Sequence, residues 1–202
     1  MHAKKALLFA GATSAALAMA LALAVPSAGA AGLFTLSSTT FADGQTMPQK
    51  VANSKANVPA NPNCVGDNVS PQLSWTGTPD GTKSFAVIMV DHDGRAGAGY
   101  DHWIAYGIPA SVTGFAEGEV SNPSDKYVGG KNSLGLGFYS GPCPPATTST
   151  HHYTFTLIAT DLDPKDLPPG LSKDELLAKI GPPPATHAKG VAGLAGLLAH
   201  PK

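Results

Sequence analysis

The sequence predicts a mostly-β domain with small peripheral helices. Three observations predict it. Gly 23 and Pro 18 make about a fifth of the 202 residues, a composition that favours short strands and turns over a helical bundle. Ser84–Val90 and Tyr153–Thr160 carry strand patterns, one continuously apolar and one alternating. Helix signals begin only after residue 170, and strands first with helices last points to a β core with peripheral helices.

The elements follow in order. Leu33–Ser38 is a short strand candidate, and Phe41–Pro48 contains the turn signal Asp43-Gly44. Val51–Asn68 is polar, with Pro59 and Pro62, and reads as an extended loop. Leu73-Ser74-Trp75 is a short strand followed by the turn Pro79-Asp80-Gly81. Ser84–Val90 is an unbroken apolar run that ends at Asp91, which fits a strand buried on both faces. Gly94–Gly99 is a glycine-rich loop, His102–Ile108 a further strand, and Gly114–Gly141 a long polar stretch. In the next strand Tyr153, Phe155, Leu157 and Ala159 share one face; Thr154 and Thr156 lie on the other with Ile158. Ser172-Lys173-Asp174-Glu175 has the form of a capping box and predicts a helix to Ile180, stopped by Gly181-Pro182. A second Ala/Leu/Gly-rich helix is predicted over Ala185–Ala199.

The first 30 residues read as a leader. Lys4 and Lys5 precede an uncharged run from Ala6 to Val25; Pro26 breaks it, and Ala28-Gly29-Ala30 supplies small residues at −3 and −1 of a cleavable bond. This is the pattern of a secretory signal peptide. The expected organisation is a signal peptide over 1–30 and one domain over 31–202, exported to the periplasm or secreted, with no stable membrane insertion after cleavage. A retained anchor is the competing reading, because about 20 apolar residues can just span a bilayer.

Net charge is −1 and Arg95 is the one arginine, so no basic patch for nucleic acid is present. In an oxidising compartment the even pair Cys64 and Cys143 is most simply a disulfide closing a long loop; two buried free thiols are the alternative. Neither cysteine has a His or Cys within four residues, so a local zinc site is not expected.

Four clusters combine turn residues with ionisable groups: Asn68–Trp75, Asp91-His92-Asp93-Gly94, Asp101-His102-Trp103, and Gly141–Pro145 followed by His151-His152-Tyr153. Asp91 and Asp93 share a face at the end of a buried strand, as do His151 and Tyr153. The prolines of Gly141–Pro145 cannot join a ladder, so this is a rigid loop, and its Pro144-Pro145 step is a candidate cis bond. Taken singly these groups have ordinary uses, such as carboxylates that cap turns.

Together they resemble the phosphatidylethanolamine-binding protein family. The resemblance rests on Ser70-Pro71, Leu73-Ser74-Trp75, Lys83-Ser84-Phe85, Asp91-x-Asp93, His102-Trp103, Asn132, Gly141-Pro142-Cys143-Pro144-Pro145 and His151-x-Tyr153, in order over about Leu33–Leu198. Within the family the chain is similar to the bacterial Raf-kinase-inhibitor-like branch of YbhB/YbcL type, and its cysteines resemble those of exported, disulfide-bearing members. The resemblance implies a central antiparallel β-sandwich and a small anion pocket formed by Asp91, Asp93, His102, Pro144, Pro145, His151 and Tyr153. It implies binding or inhibition, with a phosphate-like or phospholipid head-group ligand and no cofactor. Three departures stand out. Asp91-His92-Asp93-Gly94-Arg95 replaces an Asp-Pro-Asp-Ala-Pro pattern, His152 stands where Arg is common, and the ending lacks Gly-x-Tyr, so the last strand is expected to be missing or remodelled.

The competing functional reading is a hydrolase or other enzyme built on the Asp/His/Tyr cluster. Neither a G-x-S-x-G elbow nor an H-E-x-x-H pair is present. A metal held by His102, His151 and Asp91 is a weaker third reading.

Overall fold

A computed structural model describes residues 32–184 and 186–201, so the predicted leader lies outside the described residues. Nine strands and one α-helix are found among them. The strands are β1 (Thr35–Ser37), β2 (Gln45–Thr46), β3 (Leu73–Thr76), β4 (Ser84–Asp91), β5 (Tyr100–Pro109), β6 (Gly114–Phe115), β7 (Val128–Gly129), β8 (His151–Thr160) and β9 (Ala188–Leu198); α1 is Lys173–Ile180. They form a three-stranded sheet, β1-β3-β6, and a six-stranded sheet, β2-β9-β8-β4-β5-β7. Pairing is antiparallel except at one edge, where β2 runs parallel to β9.

Strand β4 is buried at all eight positions. Phe85, Val87 and Met89 join the main core with Phe155 and Leu157 of β8 and with Leu36, Leu73, Trp75 and Phe115 of the smaller sheet. Ala86, Ile88 and Val90 face a second cluster, completed by Ile158 and by Leu176 and Ile180 of α1. A strand covered on both faces must be apolar throughout, and that is the run seen in the sequence. The capping box of α1 is present: Ser172 accepts from the Glu175 backbone N–H, and the Glu175 carboxylate accepts from the Ser172 N–H.

The predicted second helix is a strand. Residues 188–198 pair with β8 from His151↔Leu198 to Thr160↔Ala188. Ala192, Leu194, Gly196 and Leu198 face inward, a period of two. Gly190, Gly193 and Gly196 each weaken a helix by ~1 kcal/mol relative to alanine. At Gly196 a Cβ would lie 2.6 Å from the Met47 side chain and 2.9 Å from Phe41, so glycine here lets two core side chains pack onto the strand. The expectation of a missing last strand is corrected by the same pairing. The cis peptide found among the described residues is Pro183–Pro184, not Pro144–Pro145. No described helix is long and apolar enough to cross a membrane.

Candidate functional site

The carboxyl end of β4, the start of β5 and the start of β8 lie side by side, with Asp91 opposite Tyr100 on one side and Tyr153 on the other. A cavity of about 350 Å³ opens there. Asp91, His102 and His151 line it and are buried, at 5%, 5% and 6% exposure.

A buried carboxylate needs partners, and Asp91 has three. Its Oδ2 accepts from His151 Nδ1 at 2.8 Å, and its Oδ1 accepts from the backbone N–H groups of Asp93 and Gly94 at 2.9 and 3.0 Å. Gly94 permits this turn, since a Cβ there would lie 2.8 Å from Tyr100. His151 Nε2 meets the Thr148 hydroxyl at 3.1 Å, and that hydroxyl also donates to the Pro145 carbonyl at 2.9 Å. Asp93 points outward, where it accepts from His152 N and Nδ1 at 2.7 and 2.9 Å. These bonds hold its carboxyl below the usual aspartate range.

His102 Nδ1 donates to the Ser140 carbonyl at 2.6 Å, which leaves Nε2 as its free ring nitrogen. Burial pushes the His102 pKa down against that hydrogen bond. The neutral ring therefore carries its proton on Nδ1 and offers a lone pair at Nε2. Asn132 ties the neighbouring loop to β5: its Nδ2 donates to His102 O at 2.9 Å, and its Oδ1 accepts from Leu134 N and Leu136 N, both at 2.9 Å. That loop delivers Leu134 and Ser140 to the cavity.

Cys64 and Cys143 are bridged, with Cα atoms 4.7 Å apart. The bridge joins the Val51–Asn68 loop to the proline loop, and both cysteines line the cavity. The two loops also share backbone bonds: Asn53 N donates to Pro142 O at 2.8 Å, and Gly141 N donates to the Asn68 side chain at 2.8 Å. Gly141 is required by this approach, since a Cβ would lie 2.2 Å from Val51 O.

Of the residues expected from sequence, Asp91, Asp93, His102, Pro145 and His151 line the cavity. Pro144 is buried and outside the lining. Tyr153 lies beneath it, with ring centroids 5.4 Å from His102 and 6.3 Å from His151. Its hydroxyl is buried beside the Asp91 carboxylate. Burial and the Asp91 charge push the Tyr153 pKa up, so the phenol stays protonated. Sequence reasoning passed over Asn53, Arg95, Tyr100, Ser140 and Thr148, which also line the cavity. For Arg95 a signal existed: it is the lone arginine, in a glycine-rich loop directly after a buried strand. No group of three or more His, Cys, Asp or Glu able to hold a metal occurs among the described residues.

Known proteins share this fold. The family model described as phosphatidylethanolamine-binding protein matches residues 37–188. The chain belongs to the phosphatidylethanolamine-binding protein family. Among relatives of this family, a UPF0098 protein of Methanothermobacter thermautotrophicus is 37% identical over 72% of this chain and 92% of its own length. The UPF0098 protein YbcL of Escherichia coli K12 is 41% identical over 48% of this chain and 55% of its own length. A protein named as lipoprotein LppC of Mycobacterium tuberculosis H37Rv is 36% identical over 83% of this chain and 73% of its own length. The crystal structure of E. coli YbcL superposes with a TM-score of 0.67 at 29% identity, covering 81% of this chain and 96% of that one. These relatives place the chain in the YbhB/YbcL type of the phosphatidylethanolamine-binding family.

Proposed function

We propose that this chain is an exported binding protein whose cavity holds a small oxyanion, phosphate or a phospholipid head group. One observation carries the reading. The single buried carboxylate of the cavity, Asp91, is saturated by one imidazole and two backbone donors, so its charge is spent on orienting His151. Around it stand groups that can serve oxyanion oxygens, His102 and the Ser140 hydroxyl, with Tyr153 packed beneath the His102 ring. The likeness to LppC, the Cys64–Cys143 bridge and the N-terminal leader pattern support export. Binding or inhibition, not turnover, is the activity this supports.

The pH dependence tests the reading. A neutral His102 offers a lone pair at Nε2, so it must take up a proton to donate to an anion. Affinity should be highest at mildly acid pH and fall as pH rises past the pKa of the bound state. Calorimetric titration with phosphate and phosphoethanolamine between pH 5 and 8 measures it. H102A or H151A should each lose about 10- to 150-fold in affinity, the worth of one charge-assisted donor. A flat profile, or variants that bind like the parent, overturns the reading.

A second reading has an observation behind it. Asp91, His151 and Thr148 are hydrogen-bonded in the order carboxylate, imidazole, hydroxyl, the order used by acyl hydrolases. The Thr148 hydroxyl also donates to the Pro145 carbonyl, which competes with activation by His151. Turnover of p-nitrophenyl esters or phosphoesters that is lost in T148A would establish this reading in place of the first.

A further inference from the structure

Arg95 is the only arginine of the chain, and the only lysine or arginine among the described residues that line the cavity. Its position is held at a cost. Arg95 and Ala96 both have left-handed backbones, with φ of 52° and 57°. For residues with a Cβ this conformation is strained, and such strain concentrates at functional sites. The turn is closed by Gly97 N and Gly99 N, which both donate to Gly94 O at 3.1 and 3.0 Å.

The guanidinium lies over the Tyr100 ring, 5.1 Å from its centroid. Tyr100 in turn stands 5.0 Å from the His102 ring. Among the described residues no carboxylate lies within ion-pair distance of Arg95, because the nearby acids are taken: Asp91 by His151 and Asp93 by His152. A planar, uncompensated cation is thus braced at the mouth of a cavity whose floor offers hydroxyl and imidazole groups. Part of the lining is apolar: Val58, Leu134, Pro145 and the disulfide. At about 350 Å³ the space is at the small end of ligand cavities. It suits one ring or a short chain, not a pair of acyl chains.

We propose that Arg95, stacked on Tyr100, selects the charge of the ligand, and that the ligand is an oxyanion carrying a compact apolar body, of the class of an aryl phosphate. This rests on the anion-pocket reading and adds to it both the selecting residue and the apolar part of the ligand. A guanidinium fork matches two oxygens of one phosphate, which a lysine point charge cannot do.

The experiment is calorimetric titration at pH 7 with phenyl phosphate, inorganic phosphate and phosphoethanolamine. The proteins are the parent, R95A, R95G, R95K and H102A, each with its thermal midpoint recorded. The parent should bind phenyl phosphate at least about 10-fold tighter than the other two probes. R95A and R95G should lose about 10- to 150-fold on phenyl phosphate, with R95K between them and the parent. Glycine relieves the left-handed backbone, so R95G should lose affinity without a lower thermal midpoint, which separates ligand loss from misfolding. If R95A and R95G bind phenyl phosphate like the parent while H102A does not, the Arg95 role is overturned and the anion pocket stands. If phosphoethanolamine binds as tightly as phenyl phosphate, the apolar body is overturned. If the parent binds none of the three, the pocket reading and this proposal fall together.

Discussion

At the scale of single residues, Asp91 shows how a buried charge is made tolerable. Its two oxygens take three donors, and each partner is fixed by the same turn or by the neighbouring strand. D91A strands an imidazole and two N–H groups, so it should cost about 3 kcal/mol in urea unfolding. D91N keeps the acceptor for the backbone and presents N–H₂ to His151 Nδ1. It should cost less and move the His151 proton to Nε2, a change that ¹⁵N NMR of the ring reads directly. His102 supplies a pH dependence of opposite origin. Burial makes the folded state bind its proton less tightly than the unfolded chain, where histidine titrates near 6.5. Between the two pKa values the unfolded state holds more protons. The contribution to stability is therefore complete above about pH 6.5 and is lost as pH falls toward the depressed folded value. Denaturation midpoints from pH 7.5 to 5 should fall less steeply in H102Q than in the parent; equal slopes would show that His102 does not contribute.

At the scale of elements, the same physics separates what could be read locally from what could not. The ends of α1 are written in four residues, and S172A should cost ~1 kcal/mol in thermal or urea unfolding by removing one side of the capping box. Strand β4 was legible because burial on both faces demands an unbroken apolar run, and β8 because one face meets the main core while Thr154 and Thr156 meet the other side. Strand β9 was not legible. A run of Ala, Gly and Leu satisfies a helical period and a period of two equally, and ten residues of pairing with β8 decided between them. G196V should therefore destabilise by about 1–3 kcal/mol through overpacking against Met47 and Phe41, even though valine favours strands in isolation. A neutral or stabilising effect would mean that the Met47 and Phe41 side chains yield at little cost.

At the scale of the whole molecule, the disulfide links two loops that are 79 positions apart in sequence and form one wall of the cavity. Exchanging both cysteines for serine should cost about 2–4 kcal/mol, chiefly by freeing the unfolded chain. It should also weaken anion binding through a looser wall. Free-thiol labelling of exported, unreduced protein should count no thiols; two would refute the bridge. Export itself predicts a mature N-terminus near Ala31, because Ala28 and Ala30 supply the small residues a signal peptidase needs. Met1 on protein recovered outside the cytoplasm would contradict it.

The sequence by itself determined the β class, the doubly buried strand, the capped helix, the cysteine pair and most of the ionisable residues around the cavity. Each is a local pattern: a period, a cap, an even cysteine count, or a carboxylate at the end of an apolar run. Tertiary structure decided the rest. It turned Ala188–Leu198 into a strand by offering β8 as a partner. It placed Tyr153 beneath the two imidazoles, since Tyr153 lies two residues further into β8 than His151 and joins the main core there. It brought Arg95 to the mouth through two left-handed residues and a stacked Tyr100. Pairing partners, depth below a surface and the aim of a strained loop depend on residues far apart in the chain, and no local window contains them.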